Sequence, residues 1–69
     1  MYLRIEADLI MLADECEGAA SNERLWAKGV DNPEEAMMHL DNAKECSEAA
    51  EVYRRMAKDA RKLYEQYGG

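Results

Sequence analysis

The chain has 69 residues, with 15 acidic and 9 basic side chains and a formal net charge of −6. A chain of this length forms one small domain at most, and none of its apolar runs reaches the roughly 18 residues of a membrane span. The acidic balance argues against nucleic acid as the ligand, because binding to phosphates depends on Lys and Arg. It suits a basic protein surface better.

The cysteines and the N-terminal segment both indicate the cytoplasm. Cys16 and Cys46 are too few for a disulfide scaffold and their spacing fits no zinc motif, which favours a reducing compartment. The segment MYLRIEADLI carries acids where an export signal would be basic and then apolar.

The first predicted element is a helix over about residues 2–28. Strand patterns are absent, and Gly18 together with Ser21 and Asn22 leaves a break near residues 18–22 as an alternative. Apolar residues recur at helical spacing at Tyr2, Ile5, Leu9, Leu12, Cys16, Ala19 and Trp26.

The next segment, GVDNPEE, predicts a turn over residues 29–32. Gly29 suits a helix C-terminus, Asp31 or Asn32 can cap the following helix, and Pro33 fits its first turn.

The second predicted helix covers about residues 33–67, with Gly68 and Gly69 expected to fray. Alanine recurs every seven residues in it, and positions three further on complete one stripe. A row of methyl groups allows a neighbouring helix to approach closely. The stripe consists of Ala36, His39, Ala43, Cys46, Ala50, Tyr53, Ala57 and Ala60.

The sequence therefore predicts an all-α fold, an antiparallel two-helix hairpin closed by a turn of about four residues. Counting outward from the turn, large residues of helix 1 should oppose small residues of helix 2. The expected facing pairs include Trp26 with Ala36, Ala19 with Ala43, Cys16 with Cys46, Leu12 with Ala50 and Ile5 with Ala57.

Two helices cannot shield a core from all sides, and several apolar residues remain outside the stripes. We expect them to pair two hairpins into a homodimeric four-helix bundle; the alternative is that they bind a different protein. The predicted dimer interface consists of Leu3, Ile10, Ala49, Val52, Met56 and Leu63.

Three side chains in the stripes allow more than one interpretation. His39 should face Glu23, and a hydrogen bond closing the turn end is favoured over a metal site, because one histidine with one or two carboxylates is a thin ligand set. Cys16 and Cys46 are either structural thiols or a redox-switched clasp. Trp26 is expected to plug the turn end over Ala36.

Candidate partner-binding residues lie outside the predicted seam. Acids on helix 2 form either a solvated face or a surface for a basic patch, and the tyrosines either anchor a partner or pack at the dimer end. The basic end, residues 54–69, is expected to complement the dipole of its own helix. The candidates are Met38, Asp41, Glu45, Glu48, Arg61, Tyr64 and Tyr67.

No catalytic constellation is visible. The sequence has one histidine, no glycine-rich phosphate loop and no nucleophile with a supporting base. We therefore predict a non-enzymatic protein without a cofactor or metal.

The chain resembles the small helical-hairpin dimers with which phages disarm host proteins, in particular the quorum-sensing anti-activators. The resemblance is carried by length, the helix MYLRIEADLIMLADECEGAA, the GVDNPEE turn and the alanine heptads. It implies a homodimer in the host cytoplasm that sequesters a LuxR-type transcription factor through its DNA-binding region. It also implies, as a second target, the ATPase that extends type IV pili. No binding residue transfers by motif.

Two other functions remain open. The plasmid copy-number hairpin that binds paired RNA loops is similar in size and architecture, although the acidic mid-section here opposes RNA contact. A structural or assembly adaptor is the third reading.

Overall fold

The computed structural model, which describes residues 1–68, is a hairpin of two long helices. Helix α1 spans Tyr2–Gly29, helix α2 spans Pro33–Leu63, and a π-helical segment, Tyr64–Gly68, continues α2. The helices lie side by side in a body of 54 × 13 × 10 Å. The predicted all-helical hairpin is confirmed. Within the described residues, neither helix has an apolar stretch long enough to cross a lipid bilayer.

The helix ends follow the local sequence. Helix α1 continues without a break through Gly18 and Ser21, so the alternative of a break there is wrong. Of the two candidate caps Asn32 is the one used, because its Oδ1 accepts a hydrogen bond from the backbone N–H of Glu34 at 2.9 Å. The turn is thereby limited to residues 30–32. The fraying predicted at Gly69 lies outside the described residues.

The interior of the hairpin is a seam of methyl groups. Within residues 1–67 every buried residue is an alanine, and each is 5% exposed or less. Helix α2 contributes the alanine stripe that its heptads predict. The buried residues are Ala13, Ala20, Ala43, Ala50, Ala57 and Ala60.

The register is fixed near the turn and continues in heptads. His39 Nδ1 lies 2.6 Å from Glu23 Oε2. In antiparallel helices, moving three or four residues away from this contact brings Ala20 level with Ala43. A further seven residues along each helix bring Ala13 level with Ala50.

The predicted inner face of α1 is wrong by one residue along much of the helix. Leu12, Ala19 and Trp26 are exposed, and the neighbouring residues Ala13, Ala20 and Ala27 turn inward instead. Ile5 is likewise displaced outward. The expectation that large residues of α1 oppose small ones of α2 fails, because helices in alanine-to-alanine contact leave no space for a bulky side chain between them.

Enlarging a seam alanine should destabilise the hairpin. We expect Ala20→Leu to lower the free energy of unfolding by about 1–3 kcal/mol, because the added atoms force the helices apart. The neighbouring variant Ala19→Leu, at an exposed position, should change it by no more than about 0.5 kcal/mol. Urea unfolding followed by circular dichroism, at one fixed protein concentration, measures both. Equal losses in the two variants would contradict the observed orientation of α1.

Candidate protein-binding surfaces

One broad side of the hairpin is built from ion pairs. Arg54 Nη2 lies 2.6 Å from Glu17 Oε2 and 4.0 Å from Asp14 Oδ1. On the same side Arg24 Nη2 donates a hydrogen bond to Ser47 Oγ at 2.9 Å. We call this side the charged face and define it by these five residues.

The ion pair on the charged face changes the acidity of Glu17. The hydrogen bond from Arg54 is the main cause that lowers the pKa of Glu17 below 4.5; desolvation opposes the shift, and the positive charge of Arg54 adds to it. The same contact raises the pKa of Arg54. Both side chains are exposed, so solvent screening keeps the contribution to stability small. It is present above pH 4.5 and is lost as the pH falls through the lowered pKa of Glu17.

The opposite side of the hairpin carries large apolar side chains. Glu17, Arg24 and Arg54 each follow a seam position, so residues that precede inward-facing positions project to the other side. Most of these residues toward the open end are apolar, and Asp59 is an acidic exception. The large residues there are between 40% and 47% exposed. We call this side the apolar face and define it by Ile5, Leu12, Ala49, Val52, Met56 and Leu63.

The six residues predicted for the dimer interface do not share one side. Four of them, all on α2, lie on the apolar face. Ile10 instead lines a surface depression with Glu6, Arg54, Ala57 and Lys58, beside the charged face, and Leu3 precedes it by one heptad. Sequence reasoning missed Ile5 and Leu12 as surface residues because it assigned both to the seam.

A histidine–carboxylate contact closes the seam near the turn. Glu23 and His39 have side chains only 18% exposed, and their atoms approach to 2.6 Å. The contact joins an imidazole nitrogen to a carboxylate oxygen, two groups that can share one hydrogen bond. The predicted hydrogen bond is confirmed. Trp26 packs beside His39, with ring centroids 5.8 Å apart, but it remains 56% exposed and does not plug the turn end over Ala36.

The closed end of the hairpin combines exposed apolar and acidic side chains. Each of its five large apolar residues is at least half exposed. The segment from Val30 to Asp41 contains four acids and no Lys or Arg, although Lys28 lies just before it. We call this region the turn-end surface; it comprises Leu25, Trp26, Met37, Met38 and Leu40 with Asp31, Glu34, Glu35 and Asp41.

The predicted partner-binding residues fall into two groups. Met38 and Asp41 lie on the turn-end surface, and Glu45 and Glu48 are exposed further along α2. The 26 residues between Met38 and Tyr64 correspond to about 39 Å of helix. The two groups therefore cannot form one compact epitope.

The second group, at the open end, is partly engaged within the molecule. Arg61 Nε lies 3.8 Å from Glu6 Oε2 and 3.9 Å from Glu65 Oε1. Its guanidinium carbon is 5.9 Å from the centre of the Tyr64 ring. Tyr67 is 75% exposed.

The two thiols and the carboxylates form no larger cluster in the part of the chain that the structure describes. Cys16 and Cys46 are free and half-buried, and residues 1–68 contain no group of three His, Cys, Asp or Glu side chains placed to hold a metal ion.

Comparison with protein-family models, curated proteins and solved structures found no match. A function must therefore be inferred from the surfaces themselves.

Removing Arg54 should return the pKa of Glu17 toward its ordinary value. In Arg54→Gln we expect the pKa of Glu17 to rise toward 4.5, because the charged hydrogen bond is lost. Side-chain carboxyl chemical shifts, followed by NMR through an acid titration, measure it. Arg55→Gln removes the same charge one residue away and serves as the control. An unchanged Glu17 titration in Arg54→Gln would refute the ion pair.

Removing one partner of the Glu23–His39 pair should lower the free energy of unfolding more than removing both partners. Glu23→Leu leaves His39 without its partner and should lower the free energy of unfolding by about 1–3 kcal/mol. The double variant Glu23→Leu/His39→Leu should lose less, because neither polar group stays unpaired. Urea unfolding of both variants and of His39→Leu completes the cycle. Additive losses would show that the two side chains do not interact.

Proposed function

We propose that the chain is a non-enzymatic, protein-binding inhibitor that works as a homodimer and sequesters a regulatory protein. The observation that carries this proposal is the distribution of apolar side chains. Alanines alone are buried within residues 1–67, whereas fifteen large apolar side chains are at least 40% exposed. Burying such a side chain completely from water contributes about 1.5–3 kcal/mol, and covering one that is already half-buried contributes roughly half of that. A surface of this kind is typical of proteins that bind other proteins.

The turn-end surface is the proposed site for the target. Trp and Met are enriched in the centres of protein interfaces, and here Trp26, Met37 and Met38 stand among carboxylates. The acids Glu34 and Asp41 steer encounters toward a positively charged surface and disfavour acidic partners. A basic surface with an apolar centre fits this region.

The target class comes from the resemblance to phage inhibitors of host proteins. In that family the target is a LuxR-type transcription factor bound through its DNA-binding region, with the ATPase that extends type IV pili as a second target. A DNA-binding region is basic because it neutralises phosphates, so it matches the charge of the turn-end surface. The proposed place of action is the host cytoplasm.

The ion pairs favour a protein target over structured RNA. Of the five bases in residues 54–69, Arg54 and Arg61 already face carboxylates. Phosphate binding would have to displace these contacts. Three bases, Arg55, Lys58 and Lys62, would then remain as the cationic surface for RNA.

The direct test is release of a regulator from its DNA. A LuxR-type regulator of the host, bound to its operator, should lose the DNA in a mobility-shift assay when the wild-type chain is added. The variant Glu34→Lys/Asp41→Lys should need at least about tenfold more protein, equivalent to about 1.4 kcal/mol. Glu51→Lys/Glu65→Lys makes the same change in charge away from the turn and should act like the wild type.

A different result in the same assays would support RNA binding. If the wild-type chain leaves the regulator on its DNA and retains structured RNA on filters, with steep weakening by salt, the proposal fails and the RNA-binding alternative replaces it.

A further inference from the structure

We infer that the apolar face is the docking site for a second copy of this chain, so that two hairpins meet on that side and keep their charged faces outside. This rests on the homodimer within the proposed function and assigns its interface. Three features of the hairpin point to this face: the area left exposed, the lack of ion pairs on this face within residues 1–68, and the concentration of its apolar side chains in the open half.

The hairpin exposes more surface than a compact protein of its mass. Its accessible area is 5313 Å², whereas a folded monomer of 7.9 kDa exposes about 4,400 Å². The excess of about 900 Å² is close to the roughly 800 Å² that each partner buries in a standard interface. Because this excess belongs to the whole elongated body, it shows that the hairpin has enough surplus surface for one further hairpin to cover.

The apolar face holds no ion pair. Its six defining residues are apolar, Asp59 stands between Met56 and Leu63, and the ion pairs of residues 1–68 lie in the seam or toward the opposite side. Interface centres are depleted in charge. A basic target finds little complementary charge there, whereas a second copy presents the same apolar surface in return. A two-fold contact requires this kind of self-complementary patch.

The charged face is a poor alternative for the dimer contact. Covering it would remove Arg54 and Glu17 from water, and desolvating an ion pair can cost more than the attraction returns. Arg24 and Asp14 would be covered with them. These residues are better satisfied in solvent, on the outside of the assembly.

The apolar face is densest in the open half of the hairpin. On α2 the residue before every seventh inward position changes from Leu63 and Met56 through Ala49 to Asn42 and Glu35. Toward the turn the large apolar residues on this side are Trp26 and Met38, which belong to the turn-end surface. A second copy seated on the open half leaves the acidic part of the turn-end surface free for the target.

Sedimentation of two matched double variants tests this assignment. Val52→Glu/Met56→Glu changes the apolar face, and Leu3→Glu/Ile10→Glu changes the opposite side; the four residues are all between 40% and 47% exposed. We expect the wild type and the Leu3/Ile10 variant to sediment as dimers. The Val52/Met56 variant should dissociate with a Kd at least about 100-fold higher, because it places four acids in one apolar contact.

A second double variant with polar, uncharged replacements keeps the test valid if the charged variant does not fold. If Val52→Glu/Met56→Glu loses its helical circular dichroism signal, Val52→Thr/Met56→Gln, of similar size, should stay helical and still dimerise more weakly than the wild type. A monomeric wild type, or dissociation of the Leu3/Ile10 variant alone, would overturn the inference. Regulator release by a wild-type chain that sediments as a monomer would overturn only the dimer face and leave target binding standing.

Discussion

Contact between alanine methyl groups is the constraint on which the rest of this hairpin depends. Ala13, Ala20, Ala43 and Ala50 are each no more than 2% exposed, so the backbones of α1 and α2 lie close along the middle of the molecule. Such contact gains dispersion energy from many atoms but tolerates no large side chain between the helices. Every bulky residue is consequently displaced to a flank or an end.

That displacement gives the hairpin two unlike sides. One residue after the inward positions of α1, the sequence supplies Glu17 and Arg24, which pair with α2 and need no further partner. One residue before the inward positions the sequence supplies Ile5 and Leu12, which stay at least 40% exposed in the single hairpin. The close helix contact and the exposed apolar surface thus have one origin, the small side chains of the seam. The smaller the side chains in the seam, the more apolar surface remains for another protein.

Much of the fold follows from the sequence, and the reason is periodicity. The heptads of α2, the Pro33 start and the Glu23–His39 contact could all be predicted, since each depends on local spacing. The rotation of α1 could not be predicted as readily, because Leu12 and Ala13 both fit an apolar stripe. Hydrophobicity favours Leu12 inside, whereas the space left opposite Ala50 admits only Ala13. The same single-residue ambiguity misplaced Ile10 in the predicted interface. The target itself leaves no pattern in the chain, since recognition depends on the partner's surface.

The close alanine contact between the two helices is tested most directly by methyl–methyl nuclear Overhauser effects on alanine-labelled protein. Cross-peaks should join Ala20 to Ala43 and Ala13 to Ala50, because these pairs lie level in the seam. Mixed samples of labelled and unlabelled chains restrict the signals to contacts within one hairpin. Cross-peaks to Ala43 from Ala19 in place of Ala20, or no cross-peaks between the two helices, would contradict the close alanine contact.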